Sequence, residues 1–156
     1  MIQTQNQKLF LVTAPAAIVD NASLTTNVID TKGWDYVDIY VIYGAMDIAT
    51  TVLKVQEADA ASDATTLTSG ADVTGLVYGT STNSAGSTSS LPTATSDNTI
   101  FAFRVDCRAR KRYLKPIVTL GDGTSGTFAI VVAVLSRGNA VPNSASTRGV
   151  AQELVR

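Results

Sequence analysis

Residues 35–43 read Asp-Tyr-Val-Asp-Ile-Tyr-Val-Ile-Tyr, and that alternation confines the segment to one geometry. Val37, Ile39, Val41 and Tyr43 fall on one side of an extended chain, while Tyr36, Asp38, Tyr40 and Ile42 fall on the other. A side-chain period of 2 belongs to a β-strand. After residues 44–47 the period resumes over residues 51–57, with Leu53 and Val55 expected inward and Lys54 and Gln56 outward. The two segments read as a hairpin with a loop of several residues.

Three later segments repeat the pattern, at residues 99–105, 113–120 and 127–135, and a glycine-rich turn at 121–126 joins the last two. The final one is apolar on both faces. That suits a central strand covered on each side, or one whose second face is covered by a neighbouring subunit. Pro116 removes a ladder donor, so its strand should lie at an edge or carry a bulge. Shorter candidates at residues 8–13, 23–30 and 72–78 bring the total to seven or eight. No segment carries a long helical stripe; residues 59–64 and 150–155 could each form one helical turn.

The expected fold class is therefore all-β: a β-sandwich or jelly-roll-like barrel of about seven to eight antiparallel strands. Residues 1–136 form one domain, with a Ser/Thr-rich polar loop or excursion at 79–98, and residues 137–156 form an extended C-terminal arm. Residues 8–17 superficially resemble a signal peptide, but one lysine before a very short apolar run favours a first strand and a loop. No apolar run reaches the ~18 residues of a membrane span.

Composition narrows the chemistry. The chain has 156 residues, of which 45% are apolar, and a chain of that length buries roughly 68–70% of its unfolded surface, so it needs no metal or disulfide to hold a core. It contains no histidine, which removes His-based triads and dyads and the commonest metal ligand. The single thiol, Cys107, permits neither an internal disulfide nor a thiolate zinc cluster. Arg108 beside it could lower its pKa, but with no histidine as base an ordinary unpaired cysteine is expected. A net charge of -1 argues against a dedicated nucleic-acid binder. A structural or binding protein is expected ahead of an enzyme, with no cofactor.

Glu57, Asp59 and Asp63 could supply oxygen ligands to calcium, but the spacing does not match a calcium loop, and a solvated acidic loop is expected. Asp35 and Asp38, three apart on a strand, point to opposite faces and make no acid/base pair. The turn at residues 121–126 lacks the Lys-Ser/Thr ending of a phosphate loop. The uneven feature is charge: Arg104, Arg108, Arg110, Lys111, Arg112 and Lys115 hold half of the 12 Lys and Arg. One reading is a solvated strand end paired with the domain's own acidic loops. The other is a binding surface for nucleic acid, a phosphate-bearing surface or an acidic protein patch; with no stacking aromatic but Tyr113 the expectation is a protein interface carried by Arg108, Arg110, Lys111 and Arg112, with Arg137, Arg148 and Arg156 along the arm.

The order of residues 33–41 (Gly-Trp-Asp-Tyr-Val-Asp-Ile-Tyr-Val), 53–59 (Leu-Lys-Val-Gln-Glu-Ala-Asp) and 110–118 (Arg-Lys-Arg-Tyr-Leu-Lys-Pro-Ile-Val) resembles capsid cement, or decoration, proteins of tailed bacteriophages. The likeness spans residues 33–135 and is one of pattern and segment order. It implies a β-sandwich or jelly-roll domain that trimerises on the outside of the head, binds the assembled major-capsid-protein lattice and stiffens it. It implies no catalytic residue, no membrane contact and no direct nucleic-acid contact. Other expectations are a head fibre or tail part, or a carbohydrate-binding sandwich in which Trp34, Tyr36, Tyr40 or Tyr78 stack on sugars.

Overall fold

In the computed structural model, which describes residues 6–14, 18–138 and 146–152, the strands pair as one antiparallel ribbon rolled up on itself. The main strands are β1 (Gln7–Leu11), β2 (Ile29–Asp30), β3 (Trp34–Tyr43), β4 (Thr50–Ala58), β7 (Ala71–Val77), β8 (Ile100–Asp106), β9 (Tyr113–Leu120) and β10 (Ala129–Gly138). A small hairpin, β5 (Ala60–Ala61) with β6 (Leu67–Thr68), interrupts the run between β4 and β7. Sheet A has the order β1-β10-β3-β8 and sheet B the order β2-β9-β4-β7. Among these eight, the first strand pairs with the last, the second with the seventh, the third with the sixth and the fourth with the fifth. That nesting is the jelly roll, in which two four-stranded sheets enclose one core.

The inward sets follow the alternation in the sequence. Val37, Ile39, Val41 and Tyr43 of β3 are buried beside Val131, Ala133 and Leu135 of β10, and sheet B contributes Leu53, Val55, Leu114, Val118 and Leu120 to the same core. Tyr43 carries the one hydroxyl of this set; it accepts a bond from Thr50 Oγ1 at 3.2 Å, and burial pushes its pKa up to about 12.

The connections differ from the local reading. β3 and β4 lie in different sheets, so the alternating segments at 35–43 and 51–57 are not a hairpin. The glycine-rich turn at 121–126 likewise carries the chain from β9 in sheet B to β10 in sheet A. Residues 59–64 form no helical turn; they enter the β5–β6 hairpin, where Ser62 N donates to Thr66 O.

Pro116 occupies an edge in effect. The segment 22–31 runs along the outer side of β9, through Leu24 N to Val118 O and Thr31 N to Arg112 O, but only Ile29–Asp30 is a regular strand. At Pro116 the edge bond comes from a side chain, with Thr26 Oγ1 donating to Pro116 O at 2.7 Å. The missing N–H therefore faces the irregular side, where no ladder needs it.

The polar stretch at 79–98 is a folded excursion from sheet B to sheet A. Ser89 Oγ donates to Ser81 O, Ser81 Oγ accepts from Val77 N, and Asp97 Oδ1 accepts from Met46 N at 2.7 Å. The domain extends past residue 136, since Arg137 and Gly138 complete β10 and Gly138 packs under the Trp34 ring. Residues 146–149 form a turn on β1 of the same chain, with Leu9 N donating to Arg148 O at 2.8 Å.

Candidate protein-docking face

Strand parity settles which side chains lie outside sheet A. The inward set of β3 is odd-numbered, and its register with β10, β8 and, through β10, β1 places Tyr40, Ile42, Ile130, Val132, Val134, Ile100, Ala102, Leu9 and Leu11 outward. Leu9 is paired with Val134 and Leu11 with Val132, while Ile42 lies between Ile130 and Ile100. The patch continues past the strand ends. Phe128 N bonds Ala45 O beside Gly44, and Val19 pairs with Thr127, so Ile18 and Phe128 fall on the same outer side.

The large apolar residues exposed among the described residues are Leu9, Leu11, Ile18, Ile100 and Phe128, and all five belong to this face. Ile100 is 61% exposed and Leu11 48%. Scattered exposed apolar residues are ordinary, but their confinement to one face of one sheet makes that face a candidate interaction surface.

At one end the face turns polar. Arg104 pairs with Asp38 at 2.9 Å and donates to the Tyr40 hydroxyl at 2.8 Å, with its guanidinium 5.1 Å from the Tyr40 ring centre. Arg108 and Arg137 lie 5.0 and 5.6 Å from the Tyr36 ring centre. The rings expected to stack on sugars are thus met by guanidinium groups. Tyr78 stands edge-on to Phe101 and Phe103 and donates its hydroxyl to Ala102 O, and Trp34 is half-buried against Gly138.

The basic turn is knitted to the chain's own acids. Asp106 caps the 3₁₀ turn Cys107–Ala109, and Arg108 grips it through two bonds of 2.9 and 2.6 Å, holding the Asp106 pKa down at about 2. Arg112 makes a similar fork with Asp30, at 2.8 and 2.6 Å, and that guanidinium holds the Asp30 carboxyl below its ordinary value. Arg110 lies 3.7 Å from Glu57 and Lys111 lies 3.3 Å from Asp59, while Lys111 N donates to Glu57 Oε2. The acidic loop expected to be solvated is the basic turn's partner, and Asp63 caps its own loop through Thr65. Arg137 is at the polar end of sheet A and Arg148 is buried at the β1 edge; Arg156 lies outside the described residues.

Cys107 is buried, and burial, followed by the negative charge of Asp106 and Asp35, pushes its thiol up to about 11. The neighbouring Arg108 does not lower it, because that guanidinium is spent on Asp106. The turn at 121–126 does present amides to an anion, but the anion is internal. Asp47 Oδ2 accepts from Thr124 N at 2.6 Å and from Ser125 N, and Asp20 accepts from Gly123 N at 2.8 Å. No group of three or more Asp, Glu or Cys side chains suited to a metal occurs among the described residues.

Compared with protein-family models, curated proteins and solved structures, the chain matches none.

Proposed function

We propose that this is a structural virion protein, a capsid cement protein that binds the assembled major-capsid-protein lattice from outside and stabilises the head. The observation that supports it is the apolar outer face that sheet A presents on a jelly-roll domain. A protein that binds the assembled lattice and not its free subunits stabilises assembly by mass action. Each site adds about 2.7 kcal/mol when the free protein stands at 100 times its Kd. The gain multiplies over every copy on the shell.

In this reading a homotrimer sits on the lattice, with Leu11, Val132 and Phe128 in the contact and the Arg104–Arg137 end as its polar rim. The apolar centre supplies the free energy, and the rim fixes orientation. The basic turn, Arg108, Arg110, Lys111 and Arg112, serves this contact by holding the sandwich end rigid through its internal pairs.

Cosedimentation with capsids of the parent phage tests the reading. Wild-type protein should pellet with mature heads and raise the temperature at which they release DNA, while Leu11→Asp should do neither. Failure of the wild-type protein to bind heads would reject the capsid role.

A further inference from the structure

We infer that the β8 edge of sheet A is a docking site for one extended strand of another polypeptide, which would join the sheet as its fifth strand. This rests on the open edge and the cleft beside it, and holds whether or not the protein acts on a capsid.

A sheet edge is a row of unpaired donors and acceptors that natural proteins blunt. Three of the four edges here are blunted. β1 is covered by its own chain, where Arg148 O takes the Leu9 N–H and an added Cβ on Gly149 would collide with Leu9 O. β2 has only two regular residues. β7 is broken by a register shift and by Gly75, at φ +86°. β8 is different: seven residues pair with β3 in unbroken register, without proline or bulge.

Parity gives the open groups. Tyr43 N donates to Thr99 O, so the odd-numbered residues of β8 bond β3, and Ile100, Ala102 and Arg104 turn their N–H and C=O outward. Among the described residues none accepts from the Ile100, Ala102 or Arg104 N–H. Ala102 O already receives the Tyr78 hydroxyl at 3.0 Å, so an added strand would share that carbonyl with Tyr78 or displace its hydroxyl. Charge guards only the far half, at Arg104 and Asp106; Ile100 stands exposed at the near half.

Between β8 and β7 runs a cleft of about 620 Å³, lined by Leu76, Tyr78, Phe101 and Phe103 beneath a rim of excursion hydroxyls. A second hollow of about 190 Å³ continues it along Val73, Val105 and Ala109. The larger volume falls within the ~300–1,000 Å³ of binding pockets. A strand on β8 would point alternate side chains into this cleft and the others over Ile100 and Ala102, extending the apolar outer face.

The occupant is a free strand and not β8 of a second copy. In a β8–β8 pair the inward side chains would be Phe101, Phe103 and Val105 of the second copy. Those are already committed to its own core, so both clefts would stay empty. The ligand class is therefore an extended peptide with apolar residues at alternate positions.

The probe is a blocked heptapeptide alternating valine and threonine, with a lysine at each end, titrated into the full chain and followed by amide NMR. Shifts should concentrate at residues 75–78 and 100–104, and exchange of the Ala102 and Arg104 amides should slow at least tenfold. A peptide N-methylated at alternate residues should not bind. Ala102→Pro removes an outward donor without touching the β3 ladder, and Ile100→Lys places a charge at an exposed position; each should weaken binding at least fivefold. The inference is overturned by no shifts at millimolar peptide, by equal binding of the N-methylated peptide, or by unchanged affinity in Ile100→Lys. It is also overturned if the Ala102 amide becomes protected in protein alone as concentration rises, which would give the edge to a second copy.

Discussion

The two outer faces of the sandwich are built from strands of similar length and alternation, yet they have opposite characters. Outside sheet B, Lys54 bonds Asp72 at 2.8 Å, Gln56 bonds the other oxygen of Asp72, Lys115 reaches Thr65 O, and Ser23 and Thr119 share a hydrogen bond. Outside sheet A, the corresponding rows are Leu9, Leu11, Val132, Val134, Ile42 and Ile100, with charge only at one end. A sheet needs one buried face, and water solvates a polar second face at no cost. Leaving the second face apolar exposes surface worth about 25 cal/mol per Å² to anything that covers it. The polar face is finished in the single chain, and the apolar face is the one left for the partner we propose.

Breaking the apolar row should have the largest effect. Leu11→Asp puts a charge in the exposed β1 row of the face, where the proposed partner would bury it unpaired at a cost of about 3–5 kcal/mol, so lattice binding should fall by about a hundredfold or more. Circular dichroism and Tm should stay near wild type, because Leu11 is 48% exposed in the single chain. The matched change on the other face, Gln56→Asp, should leave binding unchanged. If both substitutions weaken it equally, the contrast between the faces carries no function.

Replacing Arg110, Lys111 and Arg112 together with Ala is the next largest change. It strips the partners from Asp30, Glu57 and Asp59, so Tm should fall by a few degrees while lattice binding by the folded protein changes less than threefold. Lost binding at unchanged Tm would move the contact from the sheet to the turn.

Acid should separate the faces without mutation. Asp30, Asp47 and Asp72 are held below the ordinary carboxylate range, respectively by Arg112, by the amides of the 121–126 turn, and by Lys54 with Gln56. A carboxyl depressed by folding stabilises the protein above its unfolded pKa and loses that contribution as pH falls through the folded one. The urea midpoint should therefore hold steady from about pH 7 to 5 and decline from about pH 4 to 2. The apolar rows outside sheet A contain no titrating group, so binding to the lattice should be as tight at pH 5 as at pH 7. A binding curve that follows the urea curve would place carboxylates in the contact.

How much of this was legible depends on the range of the interaction concerned. The in-and-out pattern of β3 and β4 is a local property, and Val37, Ile39, Val41, Leu53 and Val55 are buried as their spacing requires. The partner of a strand is not local. Residues 44–47 and 121–126 read as hairpin turns because turn chemistry is the same whether the chain returns to its own sheet or crosses to the other. Long-range charge pairs follow the same rule: Arg112 meets Asp30, 82 positions away, only because segment 22–31 runs beside β9. For the apolar face, β10 offered the one signal, being apolar on both sides. Leu9, Leu11 and Ile100 gave none, since an outward leucine on a short strand reads like an inward one until its register is known.

The smallest effect is the most direct measure of how far sheet B's face is already complete. Asp72→Asn removes the acceptor charge shared by Lys54 and Gln56 but leaves an amide of the same shape. The pair is exposed and solvent-screened, so stability should change by no more than about 0.5 kcal/mol by urea denaturation, and most of that change should vanish in 1 M salt. A redundant, solvated network tolerates the loss of one member because water replaces it. The Leu11 row has no such substitute, since water cannot replace a missing apolar neighbour. Measuring Asp72→Asn and Leu11→Asp in the same binding and denaturation assays therefore gives two opposite signatures, a small stability change with intact binding and lost binding with intact stability. Similar signatures from both would mean that the two faces are equivalent surfaces of a monomer.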